Sequence, residues 1–368
     1  MGHAALRGDV PLLILITWLL AGCASAASQN NRDVLVGAIR WDGWNETYKE
    51  QKMLNPKQWH YRVPFFGKVV SDDEVHINGN SQDVMDREIN YAADGGIDYW
   101  AFNYYDYFGD PNKPSELNYG RQLYASSRYK NRLRFCWILA AKAPKRWADA
   151  PRDQKLIELM KDPQYLTVLG GRPVVFYFGV SAQILPSYGT WEEAHKTVDG
   201  FRAKCKAVGL KDPYMVGMLW NSEGVRKYTD RFGFDGVGSY TRCGGPTDHR
   251  EYPYSVLAKT NHDYWEACKN NGGQVIPLVD TGSDARPRLV DPKLAVNYKG
   301  PWFAQGTPKE IADNLLDAVQ WVRKNPQNAE TRCVLIYAWN ENSEGGWLVP
   351  TLTEGDARLQ AIKKALGR

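Results

Sequence analysis

The chain has 368 residues, of which 43% are hydrophobic and 24% charged, too apolar for a disordered chain and too long for a stapled miniprotein. Lys and Arg outnumber Asp and Glu by 46 to 42 without any long basic run, so nucleic acid is not an expected partner. The outlier is aromatic content, with 14 Trp, 21 Tyr and 11 Phe, large flat faces that suit either a packed core or a ligand surface.

Residues 1–26 read as an export signal. Arg7 precedes an apolar stretch at 11–21 that is too short to span a bilayer as a ~20-residue helix but suits a signal-peptide core. Leu20-Ala21-Gly22-Cys23 resembles a bacterial lipobox, which would make Cys23 the lipidated first residue. Ala24-Ser25-Ala26 resembles an ordinary cleavage site, which would start the mature chain at Ala27. Either reading predicts export, as a periplasmic or cell-surface lipoprotein or a secreted protein, with membrane contact only through a lipid on Cys23. The six cysteines include no CxxC pair and form no disulfide framework. Cys136 and Cys333 lie in apolar runs and read as small buried hydrophobes.

From residue 34 onward, apolar runs of strand length alternate with helical periods. The first strand covers 34–41, and a polar stretch of about 40 residues follows, holding Trp44, Trp59, His60 and Pro64-Phe65-Phe66. Helices are predicted at about 82–94, 115–128, 152–168, 192–208, 222–232, 254–270, 308–324 and 359–366. The remaining strands are predicted at 97–103, 133–139, 173–178, 214–219, 234–240, 275–279 and 333–339. Gly209 fits a helix stop, and Thr307-Pro308 fits a cap followed by Pro at the first helical position. Eight strand–helix pairs predict a single (β/α)8 TIM barrel over 34–368, an α/β fold with a long loop after strand one. The alternative, an open doubly wound sheet, usually carries a glycine-rich turn after strand one, whereas this turn is Trp41-Asp42-Gly43-Trp44-Asn45.

In a barrel the chemistry lies just beyond the C-terminal strand ends. Those positions hold Trp41, Asp42 and Trp44, then Asn103, Tyr104, Tyr105 and Asp106, then Lys142. Asn221 and Glu223, Tyr240 and Arg242, and Asp280, Asp284 and Arg286 follow later. Strand eight ends in Trp339, Asn340, Glu341, Glu344 and Trp347. No His stands at a strand end, and no HExxH, GxSxG or phosphate-binding glycine loop is present, so neither a bound metal nor any other cofactor is expected. Paired carboxyls beside aromatic faces are the equipment for cutting glycosidic bonds, which makes a polysaccharide or oligosaccharide the expected partner. Asn221-Ser222-Glu223-Gly224 echoes the strand-eight segment, so Glu223 is a rival acid, with a helix start as the plain alternative. Arg242, Arg286 and Arg288 would suit an acidic or sulfated glycan, or simply solvent.

Trp339-Asn340-Glu341-x-x-Glu344-Gly345 resembles the strand-eight motif of glycoside hydrolase family 99, the endo-α-mannosidases and endo-α-mannanases, and of related proteins encoded in bacterial polysaccharide loci. Gly96-Ile97-Asp98-Tyr99-Trp100-Ala101-Phe102-Asn103-Tyr104-Tyr105 is similar to a second-strand stretch of the same relatives. The resemblance implies a (β/α)8 barrel and metal-independent cleavage with retention. In that scheme the first glutamate deprotonates the sugar 2-hydroxyl, which attacks the anomeric carbon to give a 1,2-anhydro intermediate. By motif position Glu341 would be that base and Glu344 the acid/base. The family usually places an aromatic residue after the first glutamate; here Asn342 and Ser343 fill the motif. The departure keeps two other readings open, a glycan-binding surface lipoprotein without catalysis and a polysaccharide-assembly factor.

Overall fold

The computed structural model describes residues 1–2, 32–45, 49–105, 116–140, 150–181, 185–242, 249–290 and 300–368. The predicted export leader, including Cys23, and the strand-end residues Asp106 and Lys142 lie outside the described residues.

The apolar runs become eight parallel strands because both faces of each are covered, by barrel interior on one side and helices on the other. They are β1 (Leu35–Arg40), β2 (Tyr99–Tyr104), β3 (Arg134–Ala140), β4 (Arg172–Val180), β5 (Tyr214–Leu219), β6 (Gly236–Gly238), β7 (Leu278–Asp280) and β8 (Cys333–Tyr337). Hydrogen-bonded neighbours run in chain order from β1 to β6, β7 pairs with β8, and β8 pairs back onto β1. The remaining seam, between β6 and β7, is closed by one parallel bridge, Val237 to Val275. Pro277 explains why the predicted strand 275–279 pairs as a ladder only at 278–280, since proline has no N–H to donate. The result is a nearly closed (β/α)8 barrel.

The longer helices among the described residues are α1 (Gln82–Asp94), α2 (Tyr119–Ser126), α3 (Ala150–Leu159), α4 (Trp191–Ala207), α5 (Val225–Phe232), α6 (Tyr254–Asn270), α7 (Pro308–Lys324) and α8 (Ala357–Leu366). The start of α7 is set by Thr307, whose hydroxyl accepts from the Glu310 amide while the Glu310 carboxylate accepts from Thr307, with Pro308 inside the first turn. Its Ile311, Leu315, Ala318, Val319 and Val322 then form one buried stripe on the barrel. Removing the Thr307 hydroxyl should cost about 1 kcal/mol. The helix predicted over 152–168 stops at Leu159. Asp162 and Pro163 end it, and Thr167–Val168 folds back against Pro173 and Arg172 through a turn at Gly170-Gly171.

Inside the barrel, Tyr99 lies over Gly37, where any Cβ would collide with the ring at 2.1 Å, and its hydroxyl donates 2.9 Å across to the Val334 carbonyl. The aromatic excess is mostly spent here, and Trp44, Trp100, Trp137, Trp265, Trp339 and Trp347 are all fully buried. Cys136, Cys205, Cys268 and Cys333 are buried.

The long segment after β1 has structure that the sequence reading missed. Two 3-10 turns, Lys49–Leu54 and Lys57–Arg62, precede a hairpin of Gly67–Ser71 with Glu74–Ile77 around Asp72-Asp73. Trp41, Trp44, Leu54, Trp59, Val63, Val75 and Ile77 give it a second, smaller apolar core. That core holds Glu50 and Arg62 at the mouth of the barrel.

Candidate active site

β8 ends at Tyr337, followed by a cis peptide to Ala338 and a short antiparallel pair, Asn340–Glu341 with Gly346–Trp347, closed by a turn over Asn342–Glu344. Gly345 completes the turn with φ of +90°, and a Cβ there would strike the Asp284 amide at 2.4 Å, so only glycine fits. The turn brings Glu341 and Glu344 to the C-terminal mouth, where their carboxyl groups interact electrostatically.

The two glutamates meet different surroundings. Glu341 is buried, and its Oε1 accepts a 2.7 Å hydrogen bond from the Tyr240 hydroxyl, which itself accepts from Asn103 Nδ2. Burial, and then the negative charge of Glu344, push its carboxyl up to about 8, against the opposing pull of Arg288 and Tyr240. Glu344 is partly open to solvent and is bonded by the Arg288 guanidinium through Oε1 and by the Tyr337 hydroxyl at 2.6 Å through Oε2. A guanidinium contact of this kind suits a carboxylate far better than a carboxylic acid. Tyr240 and Tyr337 pack edge to face at 5.5 Å. Burial first, then the glutamate charges, lift both phenols far above neutrality, so both stay O–H donors.

A third carboxyl completes the network. Glu50 is buried, accepts from Arg288 Nη2 at 3.2 and 3.4 Å, and accepts from the Ser343 hydroxyl. Burial raises its pKa, while Arg288 and Ser343 work the other way. Asn342 Nδ2 donates 2.7 Å to the Arg62 carbonyl, and buried Arg62 returns bonds to the carbonyls of Asp284 and Asn342 and to the Asp284 carboxylate. Asn342 and Ser343, the residues that depart from the family pattern, therefore tie the glutamate turn to the loop after β1.

Several predicted ligand contacts prove to be supports. Trp44, Trp339 and Trp347 are fully buried and Trp41 nearly so. Trp339 donates to Glu88 at 2.9 Å, and Glu88 is paired with Arg40. Asn340 is buried and spends its amide on the Trp41 backbone, at 2.9 and 2.6 Å, while its carbonyl accepts from Trp44 Nε1 at 2.7 Å. Asp42 is buried, accepts from the Gly120 amide at the start of α2, and faces Arg40 at 3.3 Å; burial is the main reason its pKa rises to about 6. Asp280 is fully enclosed, accepting from Thr241, Asn261 and the Arg242 amide, and burial likewise lifts it to about 6. It fixes the chain after β6 instead of touching substrate.

Of the other predicted residues, Tyr240 reaches Glu341 directly and Asn103 reaches it through the Tyr240 hydroxyl. Tyr104 is half-buried and packs on Trp137 and under Arg121. Asn221 and Glu223 are exposed and outside this network. Arg242 donates to the Trp220 carbonyl at 2.5 Å, and its guanidinium covers Tyr264. Arg286 pairs with Asp284, whose pKa falls although burial opposes it, because Arg286 and Arg62 both bond to it. Sequence reading gave Arg288 to an acidic glycan or to solvent, not to Glu344, and missed Glu50 and Tyr337. Glu50 comes from 294 residues before Glu344 through a loop with no barrel periodicity, and Tyr337 reads as one more apolar strand residue. Among the described residues, no group of three or more His, Cys, Asp or Glu side chains is arranged to hold a metal ion.

The fold and site define a (β/α)8 barrel with a carboxyl pair at its C-terminal mouth. Residues 137–362 match the family described as Glycosyltransferase WbsX, and the chain belongs to that family. It is 24% identical over 319 residues to a protein of Xanthomonas campestris pv. campestris named "Uncharacterized protein WxcX", covering 78% of this chain but 41% of that one. The chain thus spans less than half the length of that relative. Among solved structures, a family GH99 endo-α-mannosidase from Bacteroides thetaiotaomicron in complex with Bis-Tris-propane superposes with a TM-score of 0.59 at 13% identity, over 91% of this chain and 97% of that one. A second structure of such an enzyme from Bacteroides thetaiotaomicron gives 0.53 at 12% identity, over 91% and 98%. At these identities the likeness is one of fold.

Proposed function

We propose that this protein cleaves glycosidic bonds in a polysaccharide or oligosaccharide, with Glu341 and Glu344 exchanging protons with the bound sugar. The observation that carries this reading is a pair of glutamates at a barrel mouth in contrasting environments. One is enclosed and bonded by a tyrosine; the other is bonded by an arginine and a second tyrosine. Two carboxyls so differentiated are what acid/base cleavage of an acetal requires, because one must hold a proton while the other is charged. In the free protein burial and the nearby Glu344 charge favour the proton on Glu341, while Glu344 is held by Arg288 and Tyr337. The roles implied by the family resemblance have Glu341 taking the proton of the sugar 2-hydroxyl and Glu344 protonating the departing oxygen. For those roles Glu341 would have to give up its proton as a saccharide enters next to Arg288.

A second reading, transfer of a glycosyl group to a sugar acceptor, is favoured by the family's name. The same carboxyl pair serves it if a sugar hydroxyl, instead of water, takes up the glycosyl group. Digestion of a glycan panel, with products and anomers followed by NMR, separates the two: new reducing ends mean hydrolysis, and lengthened chains mean transfer. Binding without either product would leave a glycan-binding protein. We further propose that the chain is exported and lipidated at Cys23; a Cys23→Ser variant should then leave the membrane fraction.

A further inference from the structure

Trp220 breaks the pattern of the other tryptophans. It directly follows β5, and its side chain is 46% exposed, whereas nine of the other described tryptophans are buried and Trp191 and Trp302 are half-buried. Leaving an indole in water forgoes one of the largest apolar burials a side chain can make. Nevertheless its backbone is held firmly. The Trp220 carbonyl accepts from Arg242 at 2.5 Å, and the preceding Leu219 carbonyl accepts from the Tyr264 hydroxyl at 3.1 Å. An uncovered indole on an anchored backbone, with one edge against Phe178, is a face available to a ligand.

That face is connected to the glutamates. The Trp220 ring meets Phe178 edge to face at 6.0 Å, Phe178 meets Tyr240 at 4.6 Å, and the Tyr240 hydroxyl donates to Glu341 at 2.7 Å. We propose that Trp220 is the stacking platform of a saccharide subsite at the β5 end of the mouth. It would hold a sugar unit beyond the two that flank the cleaved bond, so that the preferred substrate is an oligosaccharide longer than a disaccharide. Pyranose rings present flat C–H faces that pack on indole, and contact away from the reacting bond adds binding without chemistry. The proposal rests on the glycan-directed reading above and specifies where the rest of the chain lies.

The test uses the full chain with Trp indole nitrogens labelled, the Trp220 signal assigned by its loss in Trp220→Ala. It is titrated with di- and tetrasaccharides of manno, gluco and galacto configuration. The subsite predicts that a tetrasaccharide moves the Trp220 signal. Trp220→Ala should weaken tetrasaccharide binding about tenfold while changing disaccharide binding less than about twofold, and Trp220→Phe should recover most of the loss. If saccharides bind by calorimetry while the Trp220 signal stays fixed and Trp220→Ala binds as wild type, the subsite is wrong and the glycan reading stands. If no saccharide binds, both are overturned.

Discussion

Ser-Glu-Gly occurs at two strand ends, as Ser343-Glu344-Gly345 after β8 and as Ser222-Glu223-Gly224 after β5, each directly after an asparagine. After β8 the serine bonds Glu50, the glutamate is bonded by Arg288 and Tyr337, and the glycine turns left-handed against Asp284. After β5 the glutamate is exposed, and Gly224, with φ of −88°, starts α5 against the Tyr228 ring. The same letters become a bonded turn at the barrel mouth in one place and a helix start in the other. The difference lies in what distant segments bring, namely Glu50 from the loop after β1, Tyr240 from β6 and Arg288 from the loop after β7.

The sharpest way to break this contrast is to neutralise each glutamate in turn. Glu341→Gln and Glu344→Gln should each lower glycan turnover by about a thousandfold or more, and Glu223→Gln by less than about twofold. A loss from Glu223→Gln matching the other two would erase the distinction. Arg288→Met should follow, with a loss of about a hundredfold, because it strips the charge partner from Glu344 and leaves Glu50 buried without its cation. Since Arg288 lowers the pKa of Glu341, its removal should also move the limb of the pH–rate profile governed by that carboxyl to higher pH. Tyr240→Phe should cost about tenfold and move the same limb in the same direction, because the phenol's bond also favours the charged form of Glu341.

Stability should sharpen the contrast at a smaller scale. Asn340→Ala removes both side-chain bonds to the Trp41 backbone and should cost about 1–3 kcal/mol by denaturant melt, while exposed Asn221→Ala should stay within about 0.5 kcal/mol. Glu341 has a folded pKa raised above its unfolded value, so the folded state binds the extra proton. Its contribution is fully present below the unfolded value and is lost as pH rises toward about 8. Glu341→Gln should therefore raise Tm relative to wild type more at pH 8 than at pH 5.

The barrel was legible because its signals are local: apolar runs for strands, a capping box at Thr307, and glycines after helices. β5, α1, α6 and α7 fall at the bounds their periodicity predicts. The hairpin at Gly67–Ser71 escaped notice because its strands are short and largely exposed, which leaves little hydrophobic alternation to read. At the site, Glu341 and Glu344 were visible from their spacing and neighbours. Whether a tryptophan beside them faces a sugar or the core depends on which segment covers it, and no local pattern reports that. Trp339 and Trp347 are covered, whereas Trp220, next to the two residues singled out after β5, is not.

The most direct test compares wild type with Glu341→Gln and Glu344→Gln on a glycan panel, with new reducing ends counted by NMR. The account predicts product from wild type and essentially none from either variant, with all three proteins folded. Release by Glu341→Gln at the wild-type rate would contradict it.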